Sequence, residues 1–247
     1  MAFWKSKSSV VELLLKAGAD ATIADNAGIL PGHIPLSLDF LSISFQDPLD
    51  APPPTVTRLY HDENHPASKA FYLDNYFSSL FLDYLDDIFK SLPMSPPEKE
   101  SCSDRYYHCD VANVIGDQFA NALQRAGLTK NVKKEHGTMN QMRFLAYQNQ
   151  GGSVPAHVDL SRTNDVGIVS NYTFILYLTD CELGGCTNFL QSLPSRKCLT
   201  SSVIASVQPK RGRLLIFPHL SPHEGAPTIS VPKIFLRGEM YIPNLSI

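Results

Sequence analysis

Residues 172–179 read YTFILYLT. The run is rich in β-branched and aromatic side chains, which suit the half-buried surface of a pleated sheet, so it reads as a strand. Three other segments share its character: QMRFLAY at 141–147, RLLIF at 213–217 and KIFLRGEMYI at 233–242. Gly, Pro, Ser and Asn lie between them. Short strands punctuated by turn residues predict a β-sandwich or jelly roll, beginning near Met139.

Upstream of the strands the period changes. After a strand-like start in KAFYLDNYF, Leu80, Phe81, Tyr84, Leu85 and Ile88 recur at helical spacing, with Ser78 as N-cap and Pro93 just beyond the end. Asp83, Asp86 and Asp87 occupy the other face, as on any solvated helix. A second amphipathic helix carries Val111, Ile115, Phe119, Leu123 and Ala126, with Asp110 as its predicted cap and Gly127 as its stop. Helices before a sheet-rich half predict an α+β chain: a jelly-roll core with preceding amphipathic helices.

Further upstream, QDPLDAPPPT at 46–55 is dense in proline and reads as a linker. The segment VVELLLKAGADATIADNAGILPGH resembles part of an ankyrin repeat at Leu14, Leu15, Gly18, Ala19, Asp20, Asp25, Gly28, Pro31 and His33. It departs from that family at Leu30 and Gly32, and the pattern does not continue. A repeat unit buries its apolar face only against neighbours, so one fragment cannot make a working ankyrin domain. The expected organisation is an ankyrin-like helical fragment at 1–35, a proline-rich linker at 36–55 and one domain at 56–247, with its core at about 139–245.

The chain has 247 residues, 43% of them hydrophobic, and a formal net charge of -3. That content supports one sizeable core. Without a basic surplus, nucleic acid is a poor candidate partner. The apolar run at Val10–Leu15 is broken by Glu12 and closed by Lys16, which does not suit a signal peptide, and no run is long enough to span a bilayer. Five cysteines in a chain of this size fit a reducing compartment, cytoplasmic or nuclear. Cys181 and Cys186 are close in sequence, but no pattern completes a zinc set around them.

The chemistry starts at GSVPAHVDLSRTND, residues 152–165. On an extended segment, His157 and Asp159 point to the same side. Two imidazoles and one carboxylate on one face of an octahedron hold Fe(II) and leave sites open for a cosubstrate and O2. The third ligand must come from elsewhere, and LLIFPHLSPHEGAPT offers His219 and His223. A dicarboxylate cosubstrate also needs a cation. Lys233 stands ten residues after His223, whereas Ile229 stands at that distance from His219.

From about Lys69 onward the sequence resembles the iron(II)- and 2-oxoglutarate-dependent dioxygenases, in particular their prolyl 4-hydroxylase branch. The resemblance rests on AHVD, YTFILYLTD, GGCTNF, LLIFPH, HEGAPT and KIFLRGEMYI, in family order. It implies a double-stranded β-helix with iron held by His157, Asp159 and His223. It implies 2-oxoglutarate paired with Lys233 and hydrogen-bonded by Tyr147 and Tyr177. The implied reaction couples oxidative decarboxylation of 2-oxoglutarate by O2, yielding succinate and CO2, to hydroxylation of a substrate C–H, with peptidyl proline first among substrates and L-ascorbate as a reductant. Arg237 shares strand parity with Lys233 but sits roughly 13 Å away at about 3.3 Å per residue, so one carboxylate cannot use both. A structural role with Glu239 is expected for it. Cys186 departs from the family, which usually has Glu or Gln there. Other side chains, small molecules, or a non-catalytic role for the fold remain alternatives, because loops such as SRTNDVGIVS carry no readable substrate code. Oligomeric state is not legible.

Overall fold

The computed structural model describes residues 54–95, 102–129, 137–195, 200–243, 245 and 247. The ankyrin-like fragment and nearly all of the proline-rich linker lie outside these residues. Eleven strands follow in chain order: β1 (Thr55–Arg58), β2 (Phe71–Asp74), β3 (Asp104–Cys109), β4 (Gln141–Tyr147), β5 (Val154–His157), β6 (Tyr172–Tyr177), β7 (Thr187–Leu190), β8 (Val203–Val207), β9 (Leu214–Pro218), β10 (His223–Gly225) and β11 (Lys233–Met240). Among the described residues two α-helices, α1 (Ser79–Ser91) and α2 (Val114–Arg125), precede β4.

The strands form two antiparallel sheets. The larger has seven strands in the order β1-β2-β9-β6-β11-β4-β3, and the smaller has four in the order β5-β10-β7-β8. Apart from β1-β2, β3-β4 and β7-β8, neighbours in these sheets are not consecutive in sequence, as in a jelly roll, and the four segments read as strands from sequence fall on β4, β6, β9 and β11.

Strand alternation divides the interior in two. On β6, Phe174 and Leu176 face the helices and pack with Phe81, Leu85, Ile115 and Phe119. Ile175 and Tyr177 face the smaller sheet and pack with Phe189, Val207, Phe217 and Phe235. Because both faces are covered, every residue of β6 is buried, which explains its unbroken apolar run. Burying one phenylalanine contributes about 1.5–3 kcal/mol. Phe119 and Phe174 meet edge to face with centroids 4.9 Å apart. Gly238 is required beside them, since a Cβ there would come within 2.6 Å of the Phe174 ring.

Helix α1 begins as its sequence predicts, with the Ser78 hydroxyl accepting from the Phe81 N–H at 3.2 Å. Helix α2 starts later than expected. Asp110 does cap it, through Oδ1 from Val114 N–H at 2.8 Å and Oδ2 from Gly116 N–H at 2.9 Å. The residues between form a turn, and Asn113 takes a left-handed φ of 56°. Asparagine tolerates that conformation, so the chain turns once more before the helix begins. Val111, expected on the apolar face, is exposed instead. The C-terminus closes as predicted: Gly127 has φ 72°, and Leu128 N–H donates to Leu123 O at 2.9 Å. No described helix is long and apolar enough to cross a membrane.

Candidate metal centre

Two strands of the smaller sheet bring the site together. His157 ends β5, His223 begins β10, and the two are register partners. Asp159 follows β5 and is tied in place by its own N–H, which donates to His219 O at 2.9 Å. The ligating atoms of His157, Asp159 and His223 lie within 4.8 Å of one another. Each His Nε2 stands 3.7 Å from a different oxygen of Asp159: His157 from Oδ1 and His223 from Oδ2. Donors about 2.1 Å from one ion at right angles would be about 3 Å apart, so a small contraction completes the set.

The imidazoles are oriented by their own backbones. His157 Nδ1–H donates to Pro155 O at 2.8 Å, and His223 Nδ1–H donates to Ser221 O at 2.9 Å. In each ring this leaves Nε2 unprotonated and aimed at the shared centre, the tautomer a metal needs. Burial pushes the His223 pKa down, with His157 adding to the effect and Asp159 opposing it, so the ring is held neutral. His157 is the open side, its side chain 38% exposed against 6% for His223. The donor set therefore fits a divalent metal that takes nitrogen and oxygen ligands, with access beside His157.

Both oxygens of Asp159 also have protein partners. Arg237 on β11 donates to Oδ1, and the Thr173 hydroxyl on β6 donates to Oδ2 at 2.6 Å. Arg237 bonds Glu239 as expected, at 3.2 Å, but its second contact is to the carboxylate of the triad. That contact was not foreseen from sequence; it depends on how β11 packs across the interior onto the segment after β5. Thr173 was also missed. Its position offered a signal, since it is a small hydroxyl residue on the face of β6 that also carries Ile175 and Tyr177. His219 is not part of the triad: its Nδ1 meets Thr173 Oγ1 at 2.9 Å and its Nε2 meets Ser170 Oγ at 2.8 Å.

Lys233 also points inward, on the same face of β11 as Phe235 and Arg237, and is 4% exposed. Its Nζ lies 5.3 Å from the Tyr147 ring centroid and 5.2 Å from that of Phe235. Among the described residues its ammonium has no hydrogen-bond or carboxylate partner. Burial lowers its pKa from 10.5 to about 8, opposed in part by the Cys181 and Cys186 thiols. Gly185 makes room for it, since a Cβ there would lie 2.8 Å from Cys181 Sγ and 3.3 Å from Lys233 Cδ.

The two tyrosines expected to bond the cosubstrate hold protein partners here. Tyr147 is the register partner of Lys233 and meets it with its ring face, while its hydroxyl shares a hydrogen bond with Ser103. The Tyr177 hydroxyl bonds Thr187 Oγ1 at 2.7 Å. Both are buried, and burial raises both phenol pKa values. Cys186 leads into β7 with its thiol donating to Gln208 Oε1 at 2.9 Å.

No curated protein matches the sequence. Among solved structures, the fold is similar to a 2OG-Fe(II) oxygenase family oxidoreductase from Burkholderia pseudomallei, at 14% identity over 72% of this chain and 86% of that one, with a TM-score of 0.51. It is similar to HygX from Streptomyces hygroscopicus, solved with nickel, 2-oxoglutarate and hygromycin B, at 11% identity over 70% and 83% of the two chains, with a TM-score of 0.51. It is similar to a viral collagen prolyl hydroxylase from Paramecium Bursaria Chlorella virus-1, at 19% identity over 69% and 94%, with a TM-score of 0.45. Residues 142–238 match the family model of the 2OG-Fe(II) oxygenase superfamily, a span that runs from β4 to β11 and contains the whole triad and Lys233.

Proposed function

We propose that this chain is an iron(II)- and 2-oxoglutarate-dependent dioxygenase that hydroxylates a substrate C–H bond, with peptidyl proline as the first candidate. The observation that carries this reading is the convergence of His157, Asp159 and His223 at one end of an interior that also holds a buried, unneutralised ammonium. Such an ammonium is costly to bury without an anion, and a dicarboxylate would supply one. Lys233 stands four residues along β11 from Arg237, which reaches the triad carboxylate, roughly 13 Å at about 3.3 Å per residue. Both side chains leave the same face of β11, so the ammonium and the triad border one interior. The choice of proline rests on the order of the sequence motifs.

His157, Asp159 and His223 would hold the iron. Iron with bound 2-oxoglutarate supplies the activation of O2 and the oxidising power, with succinate and CO2 as by-products. The chain supplies geometry and shielding. The Nδ1–H bonds fix both imidazoles, Thr173 and Arg237 fix the carboxylate plane, and Lys233 pairs with the distal carboxylate, flanked by Tyr147 and by the Tyr177–Thr187 hydroxyl pair. The apolar wall of Leu145, Ile175, Phe189, Phe217 and Phe235 keeps bulk water away from the reacting centre. Ascorbate would serve as a reductant in turnover without substrate.

The test is anaerobic titration with iron(II) and then 2-oxoglutarate, followed by succinate release with proline-containing peptides. Binding of both, with peptide-stimulated succinate, is expected. Binding without stimulation by any peptide would reject the proline substrate. Failure of iron-loaded protein to bind 2-oxoglutarate would reject the reaction class.

A further inference from the structure

The segment from Leu160 to Ser170 leaves the triad at Asp159 and returns to the sheet just before β6. Its stem is closed by two bonds between Arg162 and Ser170: Arg162 N–H donates to Ser170 Oγ at 2.8 Å, and Ser170 N–H donates to Arg162 O at 2.8 Å. Its tip is ordered by Asn164, whose Oδ1 accepts from Val166 N–H at 3.1 Å and Ile168 N–H at 2.8 Å. Leu160 and Val166 are 82% and 77% exposed on this loop, beside the open face of the site.

From the two stem residues, two separate routes run to the two oxygens of Asp159. On one, Arg162 Nε lies 3.4 Å from Glu239 Oε2, Glu239 Oε1 accepts from Arg237 Nη1 at 3.2 Å, and Arg237 Nη2 donates to Asp159 Oδ1. On the other, Ser170 Oγ meets His219 Nε2 at 2.8 Å, His219 Nδ1 meets Thr173 Oγ1 at 2.9 Å, and Thr173 donates to Asp159 Oδ2 at 2.6 Å. With a neutral imidazole, donor assignment on this second route has one consistent solution. Thr173 gives its hydrogen to Asp159, so it accepts from His219 Nδ1–H. His219 Nε2 then accepts from Ser170, whose oxygen accepts from Arg162 N–H. Glu239, Ser170, Thr173 and His219 are all buried, so these contacts compete little with water.

We infer that Arg162 and Ser170 are positioning residues: through Glu239–Arg237 and His219–Thr173 they clamp the Asp159 carboxylate from both sides and tie its orientation to the seating of the Leu160–Ser170 loop. A substrate that presses on the loop tip would act on the metal ligand without touching it. The inference rests on reading the triad as a metal site, and it makes Arg162, an exposed residue remote from the ligand atoms, a determinant of metal geometry.

The experiment is cobalt(II) binding to the full chain, followed by the visible absorption band of the loaded protein, with circular dichroism as a check of folding. Arg162→Ala and Ser170→Ala should each weaken cobalt binding by about tenfold, the scale on which outer partners of metal ligands act, and should shift the band. Arg162→Lys should restore most of the affinity. If Ser170→Ala, a buried change, does not fold, Arg162→Ala decides alone. A folded Arg162→Ala protein with wild-type affinity and an unshifted band would overturn the clamp and leave the metal centre standing. A wild-type protein that binds no cobalt would overturn both.

Discussion

Replacing Lys233 by Met should stabilise the metal-free, cosubstrate-free protein. The ammonium is nearly inaccessible and lacks a carboxylate partner among the described residues, and burial lowers its pKa from 10.5 to about 8. At about 1.4 kcal/mol per pH unit, that shift amounts to about 3 kcal/mol against folding with the charge in place. Below pH 8 the lysine is protonated in both states and the full cost is present. Between pH 8 and 10.5 the unfolded chain binds more protons, so stability rises with pH; above 10.5 the cost is gone. Methionine has similar volume and no charge, and it forfeits contacts to the Tyr147 and Phe235 rings worth about 1 kcal/mol. Urea denaturation should therefore find Lys233→Met about 2 kcal/mol more stable than wild type at pH 7, with the gain shrinking below about 1 kcal/mol by pH 10. The same variant should need roughly ten- to a hundred-fold more 2-oxoglutarate, at 1.4 kcal/mol per decade for a charge-assisted contact of about 1.5–3 kcal/mol, with iron affinity nearly unchanged. A variant less stable than wild type at pH 7, or a difference that does not move with pH, would refute the reasoning.

Other expectations follow from single contacts. His223→Ala should abolish binding of divalent metal, whereas His219→Ala, acting through Thr173, should weaken it by about tenfold, measured by titration of the folded proteins. Gly238→Ala should cost about 1–3 kcal/mol in urea denaturation, because its Cβ would meet the Phe174 ring in a filled core. Asp110→Ala strands two N–H groups at the start of α2 and should lower stability by about 1–2 kcal/mol, with little effect on metal binding.

Much of the site was legible because its signals are local. The parity of His157 and Asp159 and the pattern of four apolar strands each lie within one short segment. The distances between His157 and His223 then follow from ladder register. What was not legible belongs to packing between segments. Arg237 was visible as an inward residue with Glu239 as its partner, but its bond to Asp159 needs the relative position of two sheets. The late start of α2 turns on one left-handed asparagine, a choice that propensity alone does not make. The stem of the Leu160–Ser170 loop read as featureless because its meaning lies in partners on β6, β11 and the turn after β9.

The carbonyls that hold the two imidazoles belong to Pro155 and Ser221, each two residues before the histidine it orients. Each ring is thus aimed by its own short stretch of main chain, and strand pairing alone sets one ring against the other. A metal arriving at such a site has almost nothing left to organise. Its binding energy goes into affinity rather than into folding, in contrast to domains that are unfolded until their metal binds. Stripping the ion should accordingly leave an intact, reloadable protein, and exchange of one divalent ion for another should proceed without unfolding.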